Sequence, residues 1–328
     1  MYEIKEVLVT AQLSESNRQR LEEALAPAVI HYAHFEDRAA IEAVIDRVDA
    51  AILQYDAEPY VIAGKKLKWI HCCHAGLDKS CRPELFQRGI ILTGSAGRSA
   101  SGLAEHVVML MLSLTHAVPM LVQAKQEHYW CGREYGSRKA MTGKTVGIIG
   151  MGNTGRALVQ LLQPFGMEIL AWRRKPQPQE GVNRIYSADA GDSLLQMLGQ
   201  CDYVVLCCSL NDETWQMMNA KAFAAMKPTA YLINIGRSGL VDEPAMVEAL
   251  KNGTIAGAGL DNFSVEPLPA DSPLWDLPNV VITPHATPSI AGGSESKSVS
   301  FAIQNLNAFR GQGDFVNRLT DRDVFTHR

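Results

Sequence analysis

The stretch KTVGIIGMGNTGRALVQLLQPFGMEILAWRRK, residues 144–175, decides the fold of this chain. A β-branched run at 146–149 enters a glycine-rich turn at 150–155, and a periodic apolar segment and a second apolar run at 168–172 follow. This order predicts strand, tight turn, helix and strand, the frame that binds the pyrophosphate of a dinucleotide. Glycines let backbone N–H groups approach the phosphates, and the helix N-terminus favours an anion. The predicted cofactor-binding residues in the turn are Gly150, Gly152, Asn153, Thr154 and Gly155.

The end of the second predicted strand carries two cations. A carboxylate is expected about 20 residues beyond the glycines, where it holds a ribose 2′-hydroxyl. This chain has Arg173 and Arg174 at that place. Two arginines suit a 2′-phosphate, so the sequence favours NADP, as NADPH, over NAD. An isolated arginine pair would ordinarily be a solvated surface feature, but the position in the motif favours contact of at least one with the cofactor.

Alternating strands and helices extend over the rest of the chain. Parallel sheets covered on both faces are expected from such alternation. Helices are predicted at 14–25, where Ser14 is the candidate N-cap, and at 38–47 and 294–309. The predicted strands are 6–10, 29–31, 50–54, 67–72, 90–93, 146–149, 168–172, 203–207, 230–234, 256–260 and 280–282.

These segments divide into two predicted domains. A strongly helical region at 99–128, with a break or kink near Pro119, leads from the first to the second. The helix at 294–309 is expected to return to the first, which makes that domain discontinuous. We therefore expect a substrate-binding domain at 1–98 plus 289–328 and a dinucleotide-binding domain at 99–288 that includes the helical arm 99–128.

Composition excludes several classes of function. The 328 residues are 47% hydrophobic and 20% charged, with a net charge of −4, so no basic footprint for nucleic acid is present. No apolar run approaches the ~18 residues that span a bilayer, and the N-terminal MYEIKEVLVT does not resemble a signal peptide. The seven cysteines do not match a zinc spacing. We expect free thiols in a reducing cytoplasm, no metal site and no membrane partner.

Three residues with complementary chemistry follow predicted strands of the second domain. Arg237, Glu266 and His285 all lie beyond strand carboxyl ends, where open α/β sheets bind ligands. An arginine offers a planar fork to a carboxylate. A histidine exchanges protons near neutral pH, and a paired glutamate fixes its tautomer. Beside a nicotinamide, this set would reduce a 2-keto acid.

Six motifs in order resemble one family. HAGLDK at 74–79, SGLAEHVVMLML at 101–112, GKTVGIIGMGNTG at 143–155, INIGRSGLVDE at 233–243, LDNFSVEPLP at 260–269 and TPH at 283–285 are similar to those of D-isomer-specific 2-hydroxyacid dehydrogenases. That family includes glyoxylate/hydroxypyruvate reductases. The resemblance covers nearly the whole chain and implies an α/β fold of two doubly wound parallel-sheet domains. One would be a Rossmann dinucleotide-binding domain and the other a smaller flavodoxin-like substrate domain.

The resemblance also implies roles for single residues. Arg237 would bind the substrate carboxylate and polarise the carbonyl, while His285 would be the acid/base and Glu266 its partner. Asp261 would lie near the nicotinamide carboxamide. The backbone of Ala75 and Gly76 would bind the substrate carboxylate, with His74 as a neighbouring pocket residue, and the arm 99–128 would form a homodimer.

The predicted function is NADPH-dependent reduction of a small 2-keto acid, glyoxylate or hydroxypyruvate, to the D-2-hydroxy acid. One alternative is an NAD-linked dehydrogenase of a larger or phosphorylated 2-hydroxy acid. Another, from a different class, is a dinucleotide-sensing scaffold similar to corepressors that bind NAD(H) and peptide motifs and that can retain the Arg/Glu/His set.

Overall fold

The computed structural model describes residues 3–136, 138, 140–286 and 293–327. Its strands lie where the β-branched and apolar runs predict them, with one addition. In chain order they are β1 Glu6–Val9, β2 Val29–Tyr32, β3 Ala50–Leu53, β4 Trp69–Cys72, β5 Ile91–Gly94, β6 Thr145–Ile149, β7 Glu168–Arg173, β8 Arg184–Ser187, β9 Tyr203–Leu206, β10 Tyr231–Asn234, β11 Gly257–Leu260 and β12 Val280–Ile282.

The helices alternate with these strands along most of the chain. In chain order they are α1 Glu15–Leu25, α2 Arg38–Ile45, α3 Pro59–Ile62, α4 Pro83–Gln87, α5 Ala100–Thr115, α6 Val118–Gln126, α7 Gly132–Gly136, α8 Asn153–Leu162, α9 Leu194–Leu198, α10 Ala220–Ala225, α11 Glu243–Lys251 and α12 Ser294–Phe309. The last of these has the bounds that its sequence periodicity predicts.

The chain divides into two units. The smaller unit comprises Met1–Ser99, Asn211–Glu213 and Ser289–Arg328, and the larger unit comprises Ala100–Leu210 and Thr214–Pro288. That the smaller unit binds the substrate and the larger unit binds the dinucleotide stays a prediction.

The smaller unit contains a parallel five-stranded sheet in the order β2-β1-β3-β4-β5. This is the flavodoxin-like order. Neighbouring residues of β1 point to opposite faces. Leu8 packs with Ile70 and the α2 side, whereas Val7 packs with Trp69 and Leu306 on the α1 and α12 side. Both faces of the sheet are therefore buried, as its continuous apolar strands require.

The larger unit contains a parallel seven-stranded sheet in the order β12-β11-β10-β9-β6-β7-β8. The strand order reverses between β6 and β9, which are hydrogen-bonded neighbours. This is the Rossmann arrangement with one further strand, and ligands bind outside the carboxyl ends of the strands at the reversal. The predicted fold class is confirmed. The edge strand β8 was not predicted, because its four residues, RIYS, include only two apolar side chains.

The predicted helical region 99–128 consists of two helices. Helix α5 is buried through Leu110 and Met111, which belong to the core of the larger unit. It ends before Ala117, which has a left-handed φ of 45°, and Pro119 lies in the first turn of α6. No single helix in the described part of the chain is long and apolar enough to cross a membrane; α5 and α6 pass that test only as a pair bent by 60°.

Ser14 occupies the N-cap position of α1, as predicted. Its hydroxyl donates to Glu295 Oε1 over 2.8 Å, and its side chain makes no capping hydrogen bond to α1. Glu295 lies in the first turn of α12, 281 residues away in sequence. The Ser14 hydroxyl therefore binds a residue distant in sequence instead of a backbone N–H of α1. The sequence around Ser14 gives no indication of that distant partner.

Candidate active site

The glycine-rich turn follows β6 at the reversal of strand order. Gly150 has a φ of 102°, and a Cβ there would lie 2.6 Å from the backbone nitrogen of Cys208. A Cβ on Gly155 would collide with the carbonyl oxygen of Gly150. Packing therefore explains these two glycines. Packing does not explain Gly152, because a Cβ there would have nothing within 4 Å. The space in front of Gly152 fits the close approach of a ligand phosphate to the backbone.

Helix α8 begins directly after Gly152, which is its N-cap and has no capping side chain. Backbone N–H groups of the first turn are thus available to an anion. Thr154 is partly buried in this turn. Asn153 Oδ1 accepts a hydrogen bond from Arg156 Nη2 over 2.8 Å. Arg156 is exposed and places a further cation beside the loop. Sequence reasoning missed it, although its place just after the last glycine could have indicated it.

Arg173 is the last residue of β7, the strand next to β6. Its guanidinium donates to the carbonyl oxygen of Gln177 over 2.9 Å and to Gln177 Oε1 over 3.1 Å. Within the described ranges no carboxylate forms a salt bridge with Arg173, so its charge is not neutralised by the protein. Arg174 is partly buried, and its carbonyl oxygen accepts a hydrogen bond from the Ser187 hydroxyl over 2.7 Å. Both residues stand at the position that the sequence predicts for a 2′-phosphate.

His285 and Glu266 form a direct pair. His285 Nδ1 lies 2.9 Å and 2.8 Å from the two carboxylate oxygens of Glu266. The backbone N–H of Phe263 donates to Glu266 Oε1 over 2.9 Å, which holds the carboxylate in place. A carboxylate accepts hydrogen bonds, so Nδ1 carries the proton of this pair. The other ring nitrogen, Nε2, is thereby the atom of His285 that can exchange a proton with a ligand.

Arg237 lies in the loop after β10, and an asparagine holds that loop. Asn234, the last residue of β10, is 2% exposed. Its Nδ2 donates to the carbonyl oxygen of Arg237 over 3.0 Å, and its Oδ1 accepts from the N–H of Gly236 over 3.0 Å. Arg237 Nη1 donates to the carbonyl oxygen of Gly236 over 2.9 Å. Asn234 therefore holds the backbone of the loop that carries Arg237.

The same asparagine connects two loops of the site. Asn234 Nδ2 also donates to Asn262 Oδ1 over 3.0 Å, and Asn262 Nδ2 returns a bond to the carbonyl oxygen of Asn234 over 3.4 Å. Asn262 lies in the loop after β11 that leads to Glu266. Sequence reasoning assigned no role to either asparagine. The available signal was the polar residue Asn234 at the end of an otherwise apolar strand, which could have indicated a residue of the site.

Asp261 is 2% exposed and forms the centre of a buried network. Its Oδ1 accepts from the Thr283 hydroxyl over 2.6 Å and from the Ala286 N–H over 3.3 Å, and lies 3.5 Å from His106 Nε2. Burial by itself raises the pKa of Asp261, but the hydrogen bonds from His106 and Thr283 outweigh it and lower that pKa below its usual value. The carboxylate thus remains ionised and fixes the backbone beside His285.

The predicted substrate loop lies in the smaller unit, after β4. His74 Nδ1 is 3.0 Å from the carbonyl oxygen of Ala75, and Gly76 has a left-handed φ of 77°. The N–H of Ser95 donates to the carbonyl oxygen of His74 over 3.0 Å. The Ser95 hydroxyl lies 3.1 Å from Nε2 of the buried His71. Hydrogen bonds through the buried residues Ser95 and His71 therefore connect this loop to the interior of the smaller unit.

The structure brings the predicted residues together in two groups. Arg237, Glu266 and His285 follow adjacent strands of the larger unit, whose sheet also carries the glycine-rich turn and Arg173. His74, Ala75 and Gly76 follow one strand of the smaller unit. Across the described ranges, no group of three or more histidine, cysteine or acidic side chains is arranged to hold a metal ion.

Comparison with known proteins gives consistent similarities. Residues 108–287 match the family model for the NAD binding domain of D-isomer specific 2-hydroxyacid dehydrogenases. The glyoxylate reductase/hydroxypyruvate reductase of Homo sapiens is 34% identical over 81% of this chain and 79% of its own. The glyoxylate reductase of Korarchaeum cryptofilum is 32% identical over 87% of this chain and 83% of its own.

A solved structure extends the similarity to the fold. The D-isomer specific 2-hydroxyacid dehydrogenase of Xanthobacter autotrophicus Py2, in complex with NADPH and MES, has a TM-score of 0.83 and 26% identity. The match covers 98% of this chain and 99% of that one.

Proposed function

The chain belongs to the D-isomer specific 2-hydroxyacid dehydrogenases, and we propose that it reduces a small 2-keto acid to the D-2-hydroxy acid with NADPH. Membership makes it an NAD(P)-dependent oxidoreductase. Glyoxylate and hydroxypyruvate are the proposed substrates, and the human relative, a glyoxylate reductase/hydroxypyruvate reductase, supports that choice.

The His285–Glu266 pair is the observation that carries this proposal. Reduction of a keto acid needs a proton for the carbonyl oxygen as well as a hydride for C2. NADPH, when bound, supplies the hydride. Glu266 holds the proton on Nδ1 of His285 at 2.8–2.9 Å, so His285 presents Nε2 to the substrate oxygen.

Arg237 provides the matching anion contact. Its guanidinium binds the substrate carboxylate and draws electron density from the carbonyl in this proposal. Asn234 keeps the Arg237 loop in one conformation. The backbone N–H groups of Ala75 and Gly76, with His74 beside them, are the proposed further contacts to the substrate.

The proposed cofactor contacts belong to the larger unit. Gly150, Gly152 and Gly155, with Asn153 and Thr154, hold the pyrophosphate at the start of α8, and the open space at Gly152 supports this assignment. Arg173 and Arg174 bind the 2′-phosphate. Asp261 lies near the nicotinamide carboxamide in the proposal, and its hydrogen bonds to Thr283 and Ala286 give it a fixed position.

A histidine variant tests the proton donor. His285→Gln should lower kcat by about 10²- to 10⁴-fold, the usual contribution of a positioned acid/base, while the Kd for NADPH changes little. His116→Gln, an exposed histidine of the same unit, is the matched control and should retain full turnover. The measurements are steady-state reduction of glyoxylate and fluorescence titration of NADPH. Unchanged turnover in His285→Gln would refute the mechanism.

A matrix of initial rates tests the cofactor and substrate. NADPH and NADH should be compared with glyoxylate, hydroxypyruvate, pyruvate and phenylpyruvate. We expect NADPH to be preferred, and Arg173→Gln and Arg174→Gln to raise the KM for NADPH by about 10-fold each, with little effect on NADH, since charged hydrogen bonds contribute ~1.5–3 kcal/mol. A strong NADH preference in the wild type would contradict the arginine assignment. Absence of turnover with every keto acid would favour the dinucleotide-sensing scaffold.

The proposed assembly is a homodimer formed through the helical arm, and the proposed location is the cytoplasm. None of the seven cysteines, all of which lie in the described ranges, forms a disulfide, as suits a reducing compartment.

A further inference from the structure

A buried histidine of the larger unit has no part in the proposed chemistry. His106 lies in the middle of α5 and is 8% exposed. Helix α5 packs against β11 and β12. Gly259 of β11 permits this close packing, because a Cβ there would lie 3.0 Å from Leu110 Cβ. His106 precedes Leu110 by about one helical turn, and its ring extends to the segment that follows β12.

His106 begins a chain of hydrogen bonds with a defined direction. The Thr283 hydroxyl has one proton, and it lies 2.6 Å from Asp261 Oδ1 but 3.3 Å from the carbonyl oxygen of Leu260. The hydroxyl therefore donates to the carboxylate and accepts from His106 Nε2, which is 3.0 Å away. Nε2 consequently carries a proton, and it also lies 3.5 Å from Asp261 Oδ1.

The far end of this chain holds the backbone that carries His285. The N–H of Ala286 donates to Asp261 Oδ1 over 3.3 Å. The N–H of His285 donates to the carbonyl oxygen of Thr283 over 3.0 Å, and the N–H of Thr283 donates to that of Leu260 over 2.9 Å. Hydrogen bonds therefore fix the backbone on both sides of His285.

His285 needs this support because its own backbone is strained. Its φ is 50°, in the left-handed region that residues with a side chain rarely adopt. Such a conformation is costly and persists only where the surrounding contacts impose it. It also sets the direction of the ring, whose Nδ1 lies 2.8 Å from Glu266 Oε2. When those contacts are weakened, the backbone relaxes and the ring turns away from Glu266.

On the basis of the proposed function, in which His285 is the acid/base, we propose that His106 is a positioning residue for His285. The His106 N–H orients the Thr283 hydroxyl, and that hydroxyl orients the Asp261 carboxylate. The carboxylate in turn holds the N–H of Ala286. The left-handed backbone of His285 is thus maintained from the interior of the larger unit by a residue that touches no reacting atom.

Turnover of two variants tests the role of the His106 N–H. His106→Phe keeps a planar ring without the N–H and should lower kcat for glyoxylate about 10- to 100-fold, because small displacements of catalytic groups have effects of this size. The KM for NADPH should change little. His106→Gln keeps a side-chain N–H and should recover most of the lost turnover. His116→Phe, which changes an exposed histidine directly after α5, is the control and should match the wild type.

A double variant tests whether His106 acts through Thr283. Thr283→Val removes the hydroxyl with little change of shape and should also lower kcat. The combination with His106→Phe should lose little more than the more affected single variant, because both changes interrupt the same chain. Additive losses overturn the proposed chain. A loss of kcat in His106→Phe that only follows its folded fraction in thermal denaturation overturns it as well.

Nuclear magnetic resonance of the protein labelled with ¹⁵N-histidine measures the geometry of His285 without turnover. The His285 signals are assigned by their loss in His285→Gln. In the wild type, at a pH where the ring is neutral, the shifts should show the proton on Nδ1, which faces Glu266. In His106→Phe they should show a mixture of the two tautomers.

These shifts separate the positioning role from the proposed function. Unchanged His285 shifts in His106→Phe overturn the positioning role and leave keto acid reduction intact. If no keto acid is reduced by the wild type but the tautomer changes as stated, the proposed function fails and the action of His106 on His285 stands.

Discussion

At the scale of single residues, His71 shows how burial controls a titratable group in this protein. Its side chain is fully buried in β4, with Nδ1 3.0 Å from the Thr93 hydroxyl and Nε2 3.1 Å from the Ser95 hydroxyl. Burial, with a smaller effect of His74, lowers the pKa of His71 to about 3. The ring is therefore neutral in the folded protein at any pH near neutrality, and it supports the loop that carries His74.

This burial predicts a dependence of stability on pH. In the unfolded chain His71 gains a proton as the pH falls below its ordinary pKa of 6.5, whereas in the folded protein it does not until about pH 3. The unfolded state thus binds more protons between these values, and the free energy of unfolding falls by about 1.4 kcal/mol per pH unit. From pH 7 to pH 5 we expect a loss of about 2 kcal/mol from this residue.

Urea denaturation at pH 7 and pH 5 measures this loss. His71→Gln keeps hydrogen-bonding groups without a titrating ring, so its stability should fall less over the same interval. His116→Gln serves as the exposed control and should behave as the wild type does. Equal slopes in the wild type and His71→Gln would show that His71 does not titrate as its burial implies.

At the scale of elements, the carboxyl ends of β10 and β11 act together. The paired side chains of Asn234 and Asn262 fasten the loop that carries Arg237 to the loop that leads to Glu266. Adjacent parallel strands bring these loops side by side, and the two asparagines join them by hydrogen bonds. Catalytic groups on loops need such support, because small displacements from the productive geometry are costly in rate.

Asn234→Asp tests this connection, because the carboxylate retains an acceptor but loses both N–H bonds. We expect kcat to fall and the KM for the keto acid to rise, together about 10- to 100-fold in kcat/KM, since each unsatisfied buried group costs ~1–3 kcal/mol. The KM for NADPH should change little. Asn219→Asp is the matched control, because Asn219 caps α10 and aspartate caps equally well.

Thermal denaturation of both variants separates positioning from simple instability. A loss of activity in Asn234→Asp that only follows its folded fraction, with both KM values unchanged, would contradict a positioning role.

At the scale of the whole molecule, large apolar side chains remain exposed on the helical arm. Val122 on α6 is 50% exposed, and Tyr129 and Trp130 beyond it are 54% and 92% exposed. Exposed apolar surface is a mark of protein–protein contact sites. It supports the proposed homodimer, in which a second copy of the chain covers the arm.

Light scattering should give about twice the chain mass of 35.9 kDa. A double variant, Val122→Glu with Trp130→Ser, should shift the protein to the monomer by placing charge and removing apolar area on the arm. Leu195→Glu changes an exposed leucine of α9 that is 44% exposed and is the control, expected to stay dimeric. A wild type that elutes and scatters as a monomer at micromolar concentration would contradict the proposed assembly.

Much of the fold could be predicted because its signals are local. The β-branched run of β6, the glycines after it and the periodicity of α12 each lie within a short segment. The other predicted strands were likewise indicated by apolar runs of a few residues. The edge strand β8 was missed, since an RIYS segment resembles a loop until β7 pairs with it. The break between α5 and α6 was predicted near Pro119, whereas the left-handed residue is Ala117.

The sequence by itself determined the strand and helix order, the glycine-rich turn and the residue types of the candidate site, because periodicity, turn chemistry and motif spacing are properties of neighbouring residues. Only the tertiary structure decided which side chains meet. It paired Ser14 with Glu295, tied Asn234 to Asn262 and buried His71. Burial and long-range hydrogen bonds depend on elements far apart in the chain, such as His106 and Thr283, which are 177 residues apart.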